Sequence, residues 1–330
     1  MTHYSIAVII ATKNRAEAVR TISLPSLERL AFRDFICVIW DSSEDDDTLR
    51  VAESGNWSFK ISYTKAPRVG SSSQRNDAVL HVHAVWPSVR YIVFIDDDSE
   101  LSSDALEGVW ASFQDSEVWG VNIPFTRYPY APSVFRRLQL KICHSLFKKS
   151  GRGVVLPCLY PYLTLPETRG AEVDYLVAGG MGLRMEVFTE LEIFFPEAFQ
   201  RFGGYALLED LAISFYLKHK LKRKFINSVH GSFVHHSVVG GRLDTQKYFA
   251  ARWFNIHLLF EEIYDDCGVF AYFLRRIVLD LFHLIHFTWY ALMGKGRLDV
   301  YRGLFLGFRA FGLERKKITG NLFKYKMGGK

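Results

Sequence analysis

Three consecutive acids, Asp96, Asp97 and Asp98, follow the apolar run Tyr91–Ile95 in the stretch YIVFIDDDSEL. Like charges at the end of a buried segment repel one another unless a cation or solvent offsets them. If strand geometry persists, alternate residues face the same way, so Asp96 and Asp98 share a side. Two carboxylates there form an oxygen-rich half-site that suits Mg2+ or Mn2+ together with substrate phosphates. Two other readings stay open: a solvated turn, or a cap on the next helix, whose N-terminus favours negative charge. One acid would suffice for a cap, so three favour the metal. Other candidates stand nearby in type. Asp41 ends the run DFICVIWD, Arg75 in RVGSSSQRNDAV offers a planar fork, and Glu209–Asp210 open the helix-like LLEDLAISFYLK. His235 and His236 follow a short strand-like segment, where the backbone can satisfy a strand-end histidine.

The elements that must position these groups alternate. SIAVIIAT (5–12), DFICVIWD (34–41), FKISYT (59–64), RYIVFID (90–96) and VWGVNI (118–123) read as strands. Helical patterns separate them, up to Arg29, over 73–84 and over 103–113. Such alternation predicts an α/β fold with parallel strands and crossovers. Ligands in those sheets sit at the carboxyl ends of strands, where Asp41 and Asp96–Asp98 fall. Residues 124–170 are irregular and rich in Pro, Tyr and basic residues, which suits a substrate-facing loop region or small subdomain. Residues 172–185 read as strand-like, and 208–219 as a helix. Gly179 and Gly180, followed by Met181, permit close backbone approach, either as a plain turn or as the floor of an acceptor subsite.

From 244 to 311 the pattern turns helical and apolar. The run GVFAYFLRRIVLDLFHLIHFTWYALM (268–293) is interrupted by Arg275, Arg276, Asp280, His283 and His286, so it lacks the about 20 apolar residues a membrane span requires. It reads as an amphipathic helix on a surface, or as a core or interface helix.

The bulk composition narrows the class. The 330 residues are 49% hydrophobic and 23% charged, which is globular rather than disordered. The net charge of +6 is local, in KLKRK (220–224), FKK (147–149) and the tail from Arg315, which suits phosphates or lipid headgroups. No RNP motif, zinc finger or zipper points to nucleic acid. Cys37, Cys143, Cys158 and Cys267 show neither metal spacing nor a paired framework and read as reduced thiols. The N-terminus reads as a first strand rather than a signal peptide, so a cytoplasmic protein is expected.

Six segments in order resemble inverting family 2 glycosyltransferases of the GT-A fold: AVIIATKNR, VIWDSSEDD, RVGSSSQRNDAV, FIDDDSEL, VAGGMGLRMEVF and LLEDLAISFYLK. Each is weak alone; their order and spacing agree over residues 5 to about 220. The resemblance is to bacterial polysaccharide and cell-wall enzymes such as rhamnosyl-, galactosyl- and glucosyl-type transferases. It implies a GT-A domain over 1–240, a Rossmann-like mixed sheet with helices on both faces, with a nucleotide-binding half (1–125) and an acceptor-binding half (126–240). A helical C-terminal region, 241–330, would follow. Asp210 would be the base that deprotonates the acceptor hydroxyl, and Glu209 its neighbour that orients acceptor or base. Thr12, Asn14, Arg15, Asp41, Arg75, Asp96 and Asp97 would hold the nucleotide-sugar, with Asp41 accepting an N–H of the base. Asp96, Asp98 and His235 or His236 would ligate Mn2+ or Mg2+. Arg242 would reach the diphosphate. Gly179, Gly180 and Met181 would line the acceptor, although the family often has a polar residue where Met181 stands.

The expected donor is a nucleotide-diphosphate sugar, UDP by the family's habit, with dTDP or GDP also compatible. The expected acceptor is a saccharide or lipid-linked saccharide, at the inner face of the cell membrane through peripheral contact. Two rivals are a metal-dependent nucleotidyltransferase and an inactive glycan- or nucleotide-binding module. ATKNRAEAVR lacks the glycines of the first, and Asp98 with Asp210 argues against the second.

Overall fold

The computed structural model describes residues 3–126, 159, 169–236, 244–293 and 297–325. The expected segment 124–170, the basic FKK and Arg242 lie largely or wholly outside them. Seven strands form one sheet in the order β3-β2-β1-β4-β7-β6-β8. They are β1 (Ile6–Thr12), β2 (Phe35–Asp41), β3 (Lys60–Lys65), β4 (Tyr91–Ile95), β6 (Val118–Asn122), β7 (Met181–Arg184) and β8 (Lys224–Asn227). A separate ribbon pairs β5 (Ser99–Leu101) with β9 (Phe233–His235).

The first four strands are parallel neighbours around β1. IAVIIAT is nearly continuous in β-branched and apolar residues and is buried on both faces, as the centre of a parallel sheet requires. The sheet is mixed, as the GT-A resemblance implies, and its parallel run ends at β7. That strand inserts antiparallel between β4 and β6, while β6 and β8 run parallel. Of the strand-like stretch 172–185, only Met181–Arg184 is a strand; a single 3-10 turn, Ala178–Gly180, precedes it.

Two helices set the site. Helix α1 (Ser71–Val85) begins after Gly70, whose φ of 142° is a conformation glycine tolerates. It ends before Pro87, which disfavours helix at Trp86. Helix α2 (Glu209–Phe215) begins after Leu208, held at φ 71°. A left-handed leucine costs about 1–2 kcal/mol, so the surroundings must impose it.

They do so from the C-terminal region. Helix α3 (Thr245–Tyr264) lays Phe254, Leu258 and Phe260 into the same apolar cluster as Phe94, Phe199 and Leu211. The core therefore continues across the sequence boundary at 240/241. From α3, the buried Asn255 amide donates to the carbonyls of Leu207 (2.8 Å) and Phe199 (3.2 Å), pinning the turn before α2. Helices α4 (Val269–Met293) and α5 (Arg297–Ile318) follow. Among the described residues no helix is long and apolar enough to cross a membrane.

Candidate active site

Strand β4 stops at Ile95, so strand alternation does not place the three acids. A turn does, closed by the Ser99 N–H donating to the Asp96 carbonyl (3.0 Å). Asp97 turns inward, 3% exposed, and accepts from the Thr12 hydroxyl (2.7 Å) and the Arg15 guanidinium (2.6 Å). Burial pushes its carboxyl up to about 7, against the pull of Arg15 and Thr12. Asp97, expected beside the nucleotide, instead braces the turn from behind.

With Asp97 inward, Asp96 and Asp98 face the same side and His235 joins them. One ligand atom from each of the three lies within 4.8 Å of the others. The His235 ring nitrogen Nε2 is 3.2 Å from Asp98 Oδ1. The ribbon makes this meeting: Ser99 pairs with His235 across β5 and β9. The neighbouring His236 ring lies 2.7 Å from the half-buried Glu100 instead, and the triad takes His235. Two carboxylates and one imidazole form a mixed oxygen–nitrogen donor set that suits Mn2+ and accommodates Mg2+. Arg15 also donates to Asp98 Oδ2 (2.9 Å), tying the first strand's end to the triad.

The second acidic pair opens α2. Asp210 accepts from the amides of Leu211 (2.7 Å) and Ala178 (3.2 Å), which fix its carboxylate. Desolvation nonetheless raises this carboxyl above its ordinary 3.8, and Asp96 adds to the effect. Glu209 is buried, and that burial pushes it up to about 7 despite Arg75. Arg75, from α1, bridges the two acidic pairs, donating to Glu209 and to Asp96 (3.0 Å). Burial works against this cation, and Glu209 and Asp96 more than offset it, so it stays charged. Arg75, expected to help hold the nucleotide-sugar, forms a carboxylate bridge here.

Other expected residues are placed differently from their assigned roles. Asp41 is wholly buried. Its carboxylate accepts from the Ser43 amide (2.8 Å), the Ser43 hydroxyl and the Tyr63 hydroxyl (3.0 Å). It thus closes a side-chain-to-backbone turn onto Ser43 and holds the Tyr63 hydroxyl. Asn14 is exposed with φ 54°, its amide donating to Ser43 Oγ (2.7 Å). Gly179, Gly180 and Met181 are buried and form no open floor. A Cβ on Gly179 or Gly180 would come within 2.9 Å of the Phe233 ring. The glycines let β9 approach, which seats His235 two residues later.

Sequence reasoning missed three contributors. Gln74 donates to the carbonyls of Thr12 (2.9 Å) and Trp40 (3.0 Å), clasping the ends of β1 and β2. Asn255 holds the α2 turn, and an isolated Asn in an apolar helix was the available signal. Tyr205 is half exposed, and desolvation together with Glu209, Asp96 and Asp210 raises the proton affinity of its hydroxyl.

The arrangement offers a cation site at the sheet's carboxyl edge and, joined to it through Arg75, a carboxylate of raised proton affinity. The family model described as "Glycosyl transferase family 2" matches residues 7–191, more than half of the chain. The chain is similar in structure to S. aureus TarS 1-349 in complex with UDP-GlcNAc, at TM-score 0.58 and 15% identity, covering 96% of this chain and 84% of that one. It is similar to S. aureus TarS at TM-score 0.56 and 15% identity, covering 96% of this chain and 50% of that one. The mannosyltransferase PcManGT from Pyrobaculum calidifontis in complex with GDP-Man and Mn2+ is similar at TM-score 0.55 and 14% identity, covering 96% and 83%. At these identities the likeness shows the fold. No curated protein matches the chain.

Proposed function

The chain belongs to glycosyl transferase family 2 and is a glycosyltransferase of the GT-A fold, and on that premise we propose that it moves a sugar from a nucleotide-diphosphate donor to a hydroxyl acceptor with inversion. The observation that carries this reading is the convergence of Asp96, Asp98 and His235, with Glu209, the neighbour of Asp210, joined to Asp96 through Arg75.

In this reading Asp210 is the base. Its oxygens are held by two amides, and its raised proton affinity suits removal of the acceptor proton near neutral pH. As the acceptor oxygen bonds to the anomeric carbon, the bond to the diphosphate oxygen breaks on the opposite face. The acceptor proton passes to Asp210, and the configuration inverts. Asp96, Asp98 and His235 would hold Mn2+ or Mg2+, which when bound neutralises charge building on the leaving diphosphate. Arg75 holds Glu209 and Asp96 in one frame, and Glu209 is the neighbour that orients acceptor or base.

Thr12, Arg15 and Asp97 brace the metal turn; Asn14 and Asp41, through Ser43 and Tyr63, shape the nucleotide side. A uridine nucleotide is the favoured donor, supported by TarS in complex with UDP-GlcNAc, while PcManGT in complex with GDP-Man keeps guanosine in play. The acceptor is a saccharide or lipid-linked saccharide met at the inner membrane face.

The test is a donor panel of UDP-, dTDP- and GDP-sugars with Mn2+ and simple glycoside acceptors. The reading expects release of one nucleoside diphosphate and a product anomer opposite to that of the donor. A product with the donor's configuration, or no release from any donor, contradicts it.

A further inference from the structure

Helices α4 and α5 carry an apolar surface that nothing among the described residues covers. Phe270, Ile277 and Leu284 recur every seven residues, so they share one side of α4, and they are 83%, 61% and 63% exposed. On α5, Tyr301, Phe305 and Phe308 form a second exposed stripe. The orientation of α5 is enforced. A Cβ at Gly303 would meet the Gln246 carbonyl at 2.4 Å, and one at Gly307 the Ala250 carbonyl at 2.7 Å. Those two glycines must face α3, so the aromatic stripe must face outward. Apolar exposure on this scale marks an interaction surface.

The charge pattern selects the partner. The outer side of α5 interleaves its aromatics with Arg302, Arg309, Arg315, Lys316 and Lys317, all exposed. Its acids are Asp299 and Glu314; Glu314 is paired with Arg201 (2.7 Å), and Asp299 sits beside Arg302. On α4, Asp280 is taken up by Arg276 and His257. A second copy of this face would set basic side chains against basic side chains. A bilayer rich in anionic phospholipid satisfies both features, since rings and aliphatic chains enter the acyl boundary while Arg and Lys meet the headgroups.

We propose that the outer faces of α4 and α5 dock this enzyme on an anionic lipid bilayer, lying in the interface without crossing it. The proposal specifies the peripheral contact suggested with the transferase reading, but its test needs neither donor nor acceptor.

The experiment is vesicle sedimentation of the full chain at low and high salt. It uses phosphatidylcholine vesicles and vesicles containing one third phosphatidylglycerol. The expected result is binding to the phosphatidylglycerol vesicles that weakens with salt. Arg309→Gln and Lys316→Gln should each lower the partition about fivefold. Phe305→Glu with Phe308→Glu should lower it further. A melting midpoint and nucleotide affinity equal to wild type exclude misfolding; if that double variant melts early, Ile277→Glu on α4 takes its place. No preference for anionic vesicles, or binding indifferent to these substitutions, overturns the proposal. Overturning it equally would be a dimer in light scattering that Phe305→Glu dissolves while vesicles go unbound. Vesicle binding without any nucleotide binding would sustain the docking surface and sink the transferase reading instead.

Discussion

The molecule holds two acidic pairs of opposite character. Asp96 and Asp98 stand in a turn at the edge of the sheet, with a histidine and an arginine within hydrogen-bonding reach of Asp98. Glu209 and Asp210 stand at a helix start, packed in low-dielectric surroundings that raise both carboxyls. The first pair has Arg15, Arg75 and His235 as partners; the second is placed where a proton is retained more readily. Arg75 touches one member of each pair. The difference shows how one residue type serves as a cation ligand in one place and as a proton acceptor in another, a few side chains apart.

Breaking the second pair should have the largest effect. Asp210→Asn keeps shape and most packing but cannot take a proton. Turnover should fall about 100- to 10,000-fold with nucleotide affinity unchanged, as measured by diphosphate release and calorimetry. An equal fall in nucleotide affinity would merge the two pairs into one binding site.

Breaking the first pair's partner comes next. His235→Ala should weaken Mn2+ affinity by more than the about 10- to 100-fold that outer-sphere partners contribute. His236→Ala, whose ring faces Glu100, should leave it near wild type. Manganese titration followed by electron paramagnetic resonance reads both, and equal losses would dissolve the distinction between the adjacent histidines.

The support beneath Asp210 gives a smaller effect. Asn255→Ala leaves the buried Leu207 and Phe199 carbonyls without their side-chain donor, at about 1–3 kcal/mol of stability. The melting midpoint should drop, and kcat should fall with little change in manganese affinity. A loss confined to manganese binding would reverse the assignment.

The pH dependence sharpens the contrast most gently. Glu209 rises from 4.5 unfolded to about 7 folded, so between those values the folded state binds more protons. Its contribution to stability is therefore lost as pH climbs from about 4.5 to about 7. Glu209→Gln should flatten that part of the wild-type curve in chemical denaturation. A steeper curve in the variant would contradict the raised value.

Much of the first half was legible because β-branched runs bounded by helical spacing identify central parallel strands. The antiparallel β7 was not, since nothing local in VAGGMGLRM announces which neighbour it pairs with. Asp96 and Asp98 do share a side, although a turn rather than strand alternation puts them there. Choosing between His235 and His236 required the register of a ribbon whose first strand is only three residues long. The glycines at 179 and 180 suggested room for a ligand, whereas the room is filled by Phe233. Arg75 and Asp41 suggested free recognition groups; both are occupied by partners distant in sequence, at Glu209 and Tyr63, which no local pattern reveals.

The central claim is that Asp96, Asp98 and His235 form a metal site through which a nucleotide diphosphate is held. Calorimetric titration of UDP, dTDP and GDP, with and without Mn2+, on wild type, Asp98→Ala and Asp210→Asn tests it most directly. The account predicts that one nucleotide binds only with Mn2+, that Asp98→Ala abolishes this binding, and that Asp210→Asn retains it. Binding that ignores Mn2+, or that survives in Asp98→Ala, would contradict the metal site and return the three acids to the role of a solvated turn.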